Sequence, residues 1–69
     1  MTAITRDQRR EQTTLVEQRI SEITFHGTVT AEEARLIIST MVMDGVLHAD
    51  WFLMMNSSIQ LLKLEGYVR

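Results

Sequence analysis

His26 and His48 are the only imidazoles in a chain that has no cysteine, so acid–base or metal chemistry would have to be built around them. Neither has a second imidazole or a thiolate one helical turn away, and no metal site is expected. Without cysteine, thiolate metal sites, cysteine nucleophiles and redox switching are also excluded. Asp50 beside His48, with Ser57 and Ser58 further on, brings a hydrolytic triad to mind. Those serines fall inside a predicted helix, however, and lack the strained turn that exposes a nucleophile. Glu32 and Glu33 project in different directions and are better explained as the acidic start of a helix. There is no glycine-rich phosphate loop. The expectation is no catalytic residue, no cofactor, no metal and no enzyme activity.

Binding chemistry has more to work with. Arg6, Arg9, Arg10 and Arg19 concentrate positive charge near the start, interleaved with Asp7, Glu11 and Glu17. The ordinary reading is a solvated helix face, with Asp7 three residues from Arg10. The functional reading is an anchor for an acidic protein or for phosphates through Arg6, Arg9 and Arg10. A net charge of −2 and a pI near 5.5 give no global reason to seek nucleic acid or an anionic membrane. Met41, Met43, Met54 and Met55 suit either a core or an adaptable binding surface. Trp51 and Phe52 would be natural partner-binding hot spots, although a small core also needs large residues.

The elements that position these groups follow from caps and periodicity. Thr5 and Gln8 have the spacing of a capping box, in which a hydroxyl and an amide satisfy free backbone donors at a helix start. A first helix over about 6–25 has a wholly polar first half, read as a solvated extension that frays, and an apolar stripe of Leu15, Val16, Ile20 and Ile23 in its second. Gly27 stands where a residue of positive φ closes a helix. Thr30 and Glu33 make a second capping box ahead of a helix over about 31–44, which Asp44 and Gly45 end. Ala34, Ile37, Ile38 and Met41 form its main face, with Leu36 and Met43 on the opposite side.

A third helix over about 49–65 belongs to a stretch, 47–68, that is apolar nearly all round and around which the other two should pack. At 100° per residue, Trp51, Phe52, Met55, Ile59 and Leu62 share one face, while Leu53, Met54, Leu61, Leu64 and Val68 share a second. Asn56, Gln60 and Lys63 form a narrow polar strip. Two apolar faces need two partners.

The fold class expected is all-α: one domain, a three-helix antiparallel bundle with short connections and a loose N-terminal tail over 1–5, completed by homodimerisation. A chain of 69 residues buries only about 60% of its unfolded surface, and with no disulfide available oligomerisation is the usual reinforcement. The dimer interface is expected at Leu36, Met43, Leu53, Met54, Leu61 and Leu64. The first residues show neither a secretory h-region nor a transit peptide, and no segment reads as a membrane span, so no membrane partner and a cytoplasmic location are expected.

Two resemblances add to this reading. The run SIQLLKLEGYVR over 58–69 resembles the end of the recognition helix in winged helix-turn-helix proteins, although only Lys63 and Arg69 are cationic and Arg69 stands where the wing should begin. Over about 11–64, three features are shared with the small enterobacterial biofilm-development and two-component connector proteins, the YmgB/AriR family. These are Gly27, the Val29-Thr30 helix start followed by acids, and Leu47-His48-Ala49-Asp50 opening the third helix. Trp51-Phe52 and the Gly66-Tyr67-Val68 ending do not match. The resemblance implies an all-α dimer acting in biofilm, acid-resistance or phosphorelay regulation. The expected function is therefore a small non-enzymatic regulatory protein, a homodimeric interaction module with a regulatory protein partner. The alternative is a helix-turn-helix-like DNA-binding regulator that uses its arginine-rich first helices.

Overall fold

A computed structural model describes residues 2–69. Helix α1 spans Arg6–Ile23, α2 spans Ala31–Met43 and α3 spans Met55–Leu64, with a short 3₁₀ turn at Ala49–Phe52 between the last two. The fold is the expected all-α three-helix bundle. Both capping boxes form: Thr5 and Gln8 exchange bonds of 3.0 and 3.1 Å, and Thr30 and Glu33 bonds of 2.9 and 3.1 Å. Bonds from the Thr30 amide and hydroxyl hold the Glu33 carboxyl below its ordinary pKa. Helices α2 and α3 end in the same way. Gly45 and Gly66 have φ of 79° and 88°, and the next residues, Val46 and Tyr67, donate back to Met41 and Leu62 at 2.9 Å. This closes each helix with a left-handed residue that only glycine adopts freely. Helix α1 stops short of Gly27, because Thr24 turns extended and spends its amide and hydroxyl on the Ile20 carbonyl.

The core is built from Val16 and Ile20 of α1, Ala34, Ile38 and Met41 of α2, and Met55, Ile59 and Leu62 of α3. Trp51 and Leu47 fill it from the α2–α3 connection. Val29 and Val68 close one end through an isolated parallel bridge, with bonds of 3.0 Å from the Val29 amide to Tyr67 and 2.8 Å from the Arg69 amide to Val29. Val68 is therefore a core residue and not part of a second face, because backbone pairing carries it inward after α3 has ended.

The third helix is interrupted where a continuous one was expected. The His48 ring accepts the Asp50 amide at 2.9 Å, and i→i+3 bonds from Trp51 to His48 and from Leu53 to Asp50 tighten the chain into a 3₁₀ turn. The tighter winding shifts the phase, so Trp51 is 1% exposed while its neighbour Phe52 is 48% exposed. The N-terminal segment is tied down rather than loose. The Ile4 amide donates to Asp50 Oδ2 at 2.9 Å, the Thr2 carbonyl meets His48 Nε2 at 2.8 Å, and Ile4 packs against the core. Met1, also in the expected tail, lies outside the described residues. No helix among the described residues is long and apolar enough to cross a membrane.

Candidate interaction site

The residues with the most evident chemistry are engaged in holding the fold. His48 Nδ1 accepts the Asp50 amide, which leaves Nε2 to carry the proton and donate to the Thr2 carbonyl. Gln12 Oε1 accepts both the His48 amide and the Trp51 indole N–H at 2.8 Å. Thus His48 and Asp50 join the N-terminal segment to the 3₁₀ turn, and Gln12 joins that turn to α1. The polar first half of α1 is therefore pinned at Gln12, with Arg9 and Thr13 half-buried, while Arg6, Asp7, Gln8, Arg10, Glu11 and Thr14 stay exposed as a solvated face. Ser57 donates to the Met54 carbonyl at 3.1 Å, and no structural feature joins it to His48. Among the described residues no group of three His, Cys, Asp or Glu side chains could hold a metal ion.

Trp51, expected to touch a partner, is instead enclosed by the core with its indole N–H bonded, and it has no surface to offer. Phe52 keeps half its surface outside. The expected interface residues Leu36, Met43, Leu53, Leu61 and Leu64 are all exposed, Met54 is half-buried, and Ile23 and Phe25 add to the uncovered apolar surface. Met41 and Met55 belong to the core, leaving Met43 as the freely exposed thioether of the four singled out. Ile23 and Leu36 line a shallow groove between α1 and α2, together with Arg19 and Ile37.

A different groove runs between α1 and the end of α3. Arg6, Arg9 and Arg10 line its open part, with Thr13 and Thr14 between them and Glu17 and Glu65. Its inner part is a cavity of about 40 Å³, where Arg9 and Thr13 meet Trp51, Ser58, Leu61 and Leu62. Among the described residues the ion pair within 4.0 Å is Arg69–Glu33; His48 Nδ1 lies 3.6 Å from Asp50 Oδ1 but accepts the Asp50 amide and so makes no ion pair. None of the three groove arginines is in one, and the pairing expected between Asp7 and Arg10 is absent. The Glu17 carboxyl is pushed up to about 7, first by a hydrogen bond with the Glu65 carboxyl, then by burial and by repulsion from Glu65. Ser58, 5% exposed, has a buried hydroxyl with no hydrogen-bond partner.

The sequence does not single out Gln12 or the pairing of Glu17 with Glu65, and it offers Ser58 only as a triad serine. Two of them leave a signal there. Gln12 precedes Val16 and Ile20 at steps of four and so extends their buried row, and Ser58 sits among Met55, Ile59 and Leu62 on the inward face of α3. A polar residue on an apolar stripe marks a bond to be found or a group left without one. The fold and groove define an all-α three-helix protein with a charged cleft and an incompletely covered apolar surface. Comparison with family models, with curated proteins and with solved structures gives no match.

Proposed function

We propose that this chain is a small non-enzymatic regulatory protein that works as a homodimeric protein–protein interaction module, in a role of the biofilm, stress-response or phage type. The observation that carries the reading is the apolar surface left over once the core is closed. Leu36, Met43, Leu53 and Leu64 are 65%, 82%, 86% and 84% exposed. Single exposed leucines need no explanation, but this many on a chain so short support an association surface. The engagement of both His48 ring nitrogens in backbone bonds favours a role without catalysis. The resemblance to the biofilm-development and connector proteins suggests the regulatory setting.

Sedimentation at micromolar concentration tests it. The wild type is expected to be a dimer, and Leu36→Glu and Leu64→Glu are expected to be folded monomers, since both positions are solvent-facing in the single chain. A monomeric wild type overturns the dimer, and dimeric glutamate variants overturn the proposed seam. The second reading, DNA binding, is favoured by the unpaired Arg6, Arg9 and Arg10. It requires duplex binding that weakens steeply between about 50 and 200 mM salt and disappears in the triple arginine-to-alanine variant.

A further inference from the structure

We propose that the groove between α1 and α3 docks an acidic peptide segment, one carboxylate of which sits between the Arg9 guanidinium and the Ser58 hydroxyl. This deepens the interaction-module reading and rests on it, by stating the chemistry of the partner. The starting point is Ser58. A hydroxyl buried without a hydrogen bond is costly, and native structures seldom keep one without a use. Four of its neighbours in the cavity cannot relieve it. The Thr13 hydroxyl is spent on the Arg9 carbonyl at 2.7 Å, the Trp51 N–H is spent on Gln12, and Leu61 and Leu62 have nothing to offer.

The remaining polar wall is made by Arg9 and Glu65. A guanidinium only donates, and a serine hydroxyl donates readily, so the group that satisfies both is an acceptor carrying negative charge. A cavity of about 40 Å³ exceeds the roughly 10–15 Å³ that one water needs, and it shares Arg9, Thr13 and Glu65 with the part of the groove that Arg6 and Arg10 line. Glu65 would oppose such a ligand at full charge. Its carboxyl is engaged with that of Glu17, however, which with a pKa pushed up to about 7 is partly protonated near neutral pH and so adds less than a full charge beside it.

The same two carboxyls argue for a peptide over nucleic acid. A phosphodiester backbone carries a charge at every step and would pass Glu17 and Glu65 on leaving the arginines, on a chain whose net charge is already −2. A peptide places its acids only where the arginines are.

The test is an ¹⁵N NMR titration at about 150 mM salt, where unpaired surface attraction is screened beyond roughly 8 Å. The probe is an end-blocked decapeptide of alternating Glu and Ala, compared with its Gln and Ala counterpart and with a short DNA duplex. The acidic peptide is expected to shift the resonances of Arg9, Ser58 and Leu61, and the amide peptide to shift none of them. Arg9→Gln should weaken binding about tenfold or more, as loss of a charge-assisted bond does, and Ser58→Ala should weaken it several-fold. Arg19→Gln, on the other side of α1 in the α1–α2 groove, should leave it unchanged.

Equal binding of the amide peptide, shifts confined to other surfaces, absence of binding, or unchanged affinity in both Arg9→Gln and Ser58→Ala overturns the proposal. So does a duplex that displaces the peptide and binds more tightly. Repeating the titration on Leu64→Glu separates the two readings. Peptide binding by a chain that never dimerises removes the dimer and leaves the groove, whereas a dimer with an unresponsive groove does the opposite.

Discussion

Trp51 takes part in two polar sites. At one, Gln12 Oε1 collects the indole N–H and the His48 amide, and the His48 ring is bonded through both nitrogens. At the other, the indole helps to enclose a cavity in which Ser58 Oγ has no partner and Arg9 is in no ion pair within 4.0 Å. The first site satisfies its polar groups with groups from its own chain and so serves the fold. The second leaves donors facing a space, which costs stability and makes sense where something outside the chain completes it. Satisfaction of buried polar groups therefore separates architecture from candidate function here better than residue type does. The histidine and aspartate that look catalytic hold the chain together, and a serine in a plain helix marks the cleft.

Breaking the satisfied site should have the larger effect. Gln12→Leu removes one oxygen and leaves two donors, the Trp51 indole N–H and the His48 amide, without it. An orphaned buried donor costs about 1–3 kcal/mol, and partial access of water to this half-buried site lowers the total, so a loss of about 2–3 kcal/mol is expected. For a chain of this length that is a large share of the total stability, at roughly 0.05–0.15 kcal/mol per residue. Urea unfolding of the variant checks the figure. A loss under about 0.5 kcal/mol would mean that the junction is not holding α1 to the 3₁₀ turn.

Ser58→Ala sharpens the contrast because the same kind of change should have the opposite sign. It deletes an unpartnered hydroxyl and leaves the helix with a better helix former. Stability is expected to stay level or rise by up to about 1 kcal/mol, while peptide binding falls as argued above. Thermal unfolding of the variant beside Gln12→Leu decides it. Clear destabilisation by Ser58→Ala would show that the hydroxyl has a partner in the folded protein after all.

The difference between the two sites also governs what could be read in advance. The Thr5–Gln8 and Thr30–Glu33 caps were legible because each closes within four residues, so local chemistry alone decides them. The core positions of α2 and the row Trp51, Met55, Ile59 and Leu62 were legible from spacing. Phe52, Val68 and the N-terminal segment were misjudged for a common reason. Each depends on a contact between residues far apart in the chain, or on the His48 ring converting a helical turn into a 3₁₀ one, and a periodic wheel contains neither. The groove was half legible. Its arginines were noticed as a cluster, but their juxtaposition with Ser58 and Glu65 exists only once α1 and α3 are packed.

The smallest expected effect lies at the edge of the groove, and its sign follows from the raised Glu17 pKa. Folded, the carboxyl keeps a proton up to about 7 where its ordinary value is 4.5. The stability that the shared proton contributes is complete below pH 4.5 and declines as the pH rises to about 7, because the unfolded chain releases the proton first. Above that range both carboxyls are ionised and repel each other across α1 and the end of α3. Arg6, Arg9, Arg10 and Glu22 on α1 and Tyr67 beyond α3 are the other ionisable groups that line the surroundings. Glu17→Gln removes the titration and keeps an amide that can donate to Glu65 at any pH. Relative to wild type, the variant should gain melting temperature progressively between pH 4.5 and 7 and hold that gain at pH 8. A difference between the two proteins that is flat across this range would mean that the Glu17 pKa is not raised and that no hydrogen bond to Glu65 holds its proton.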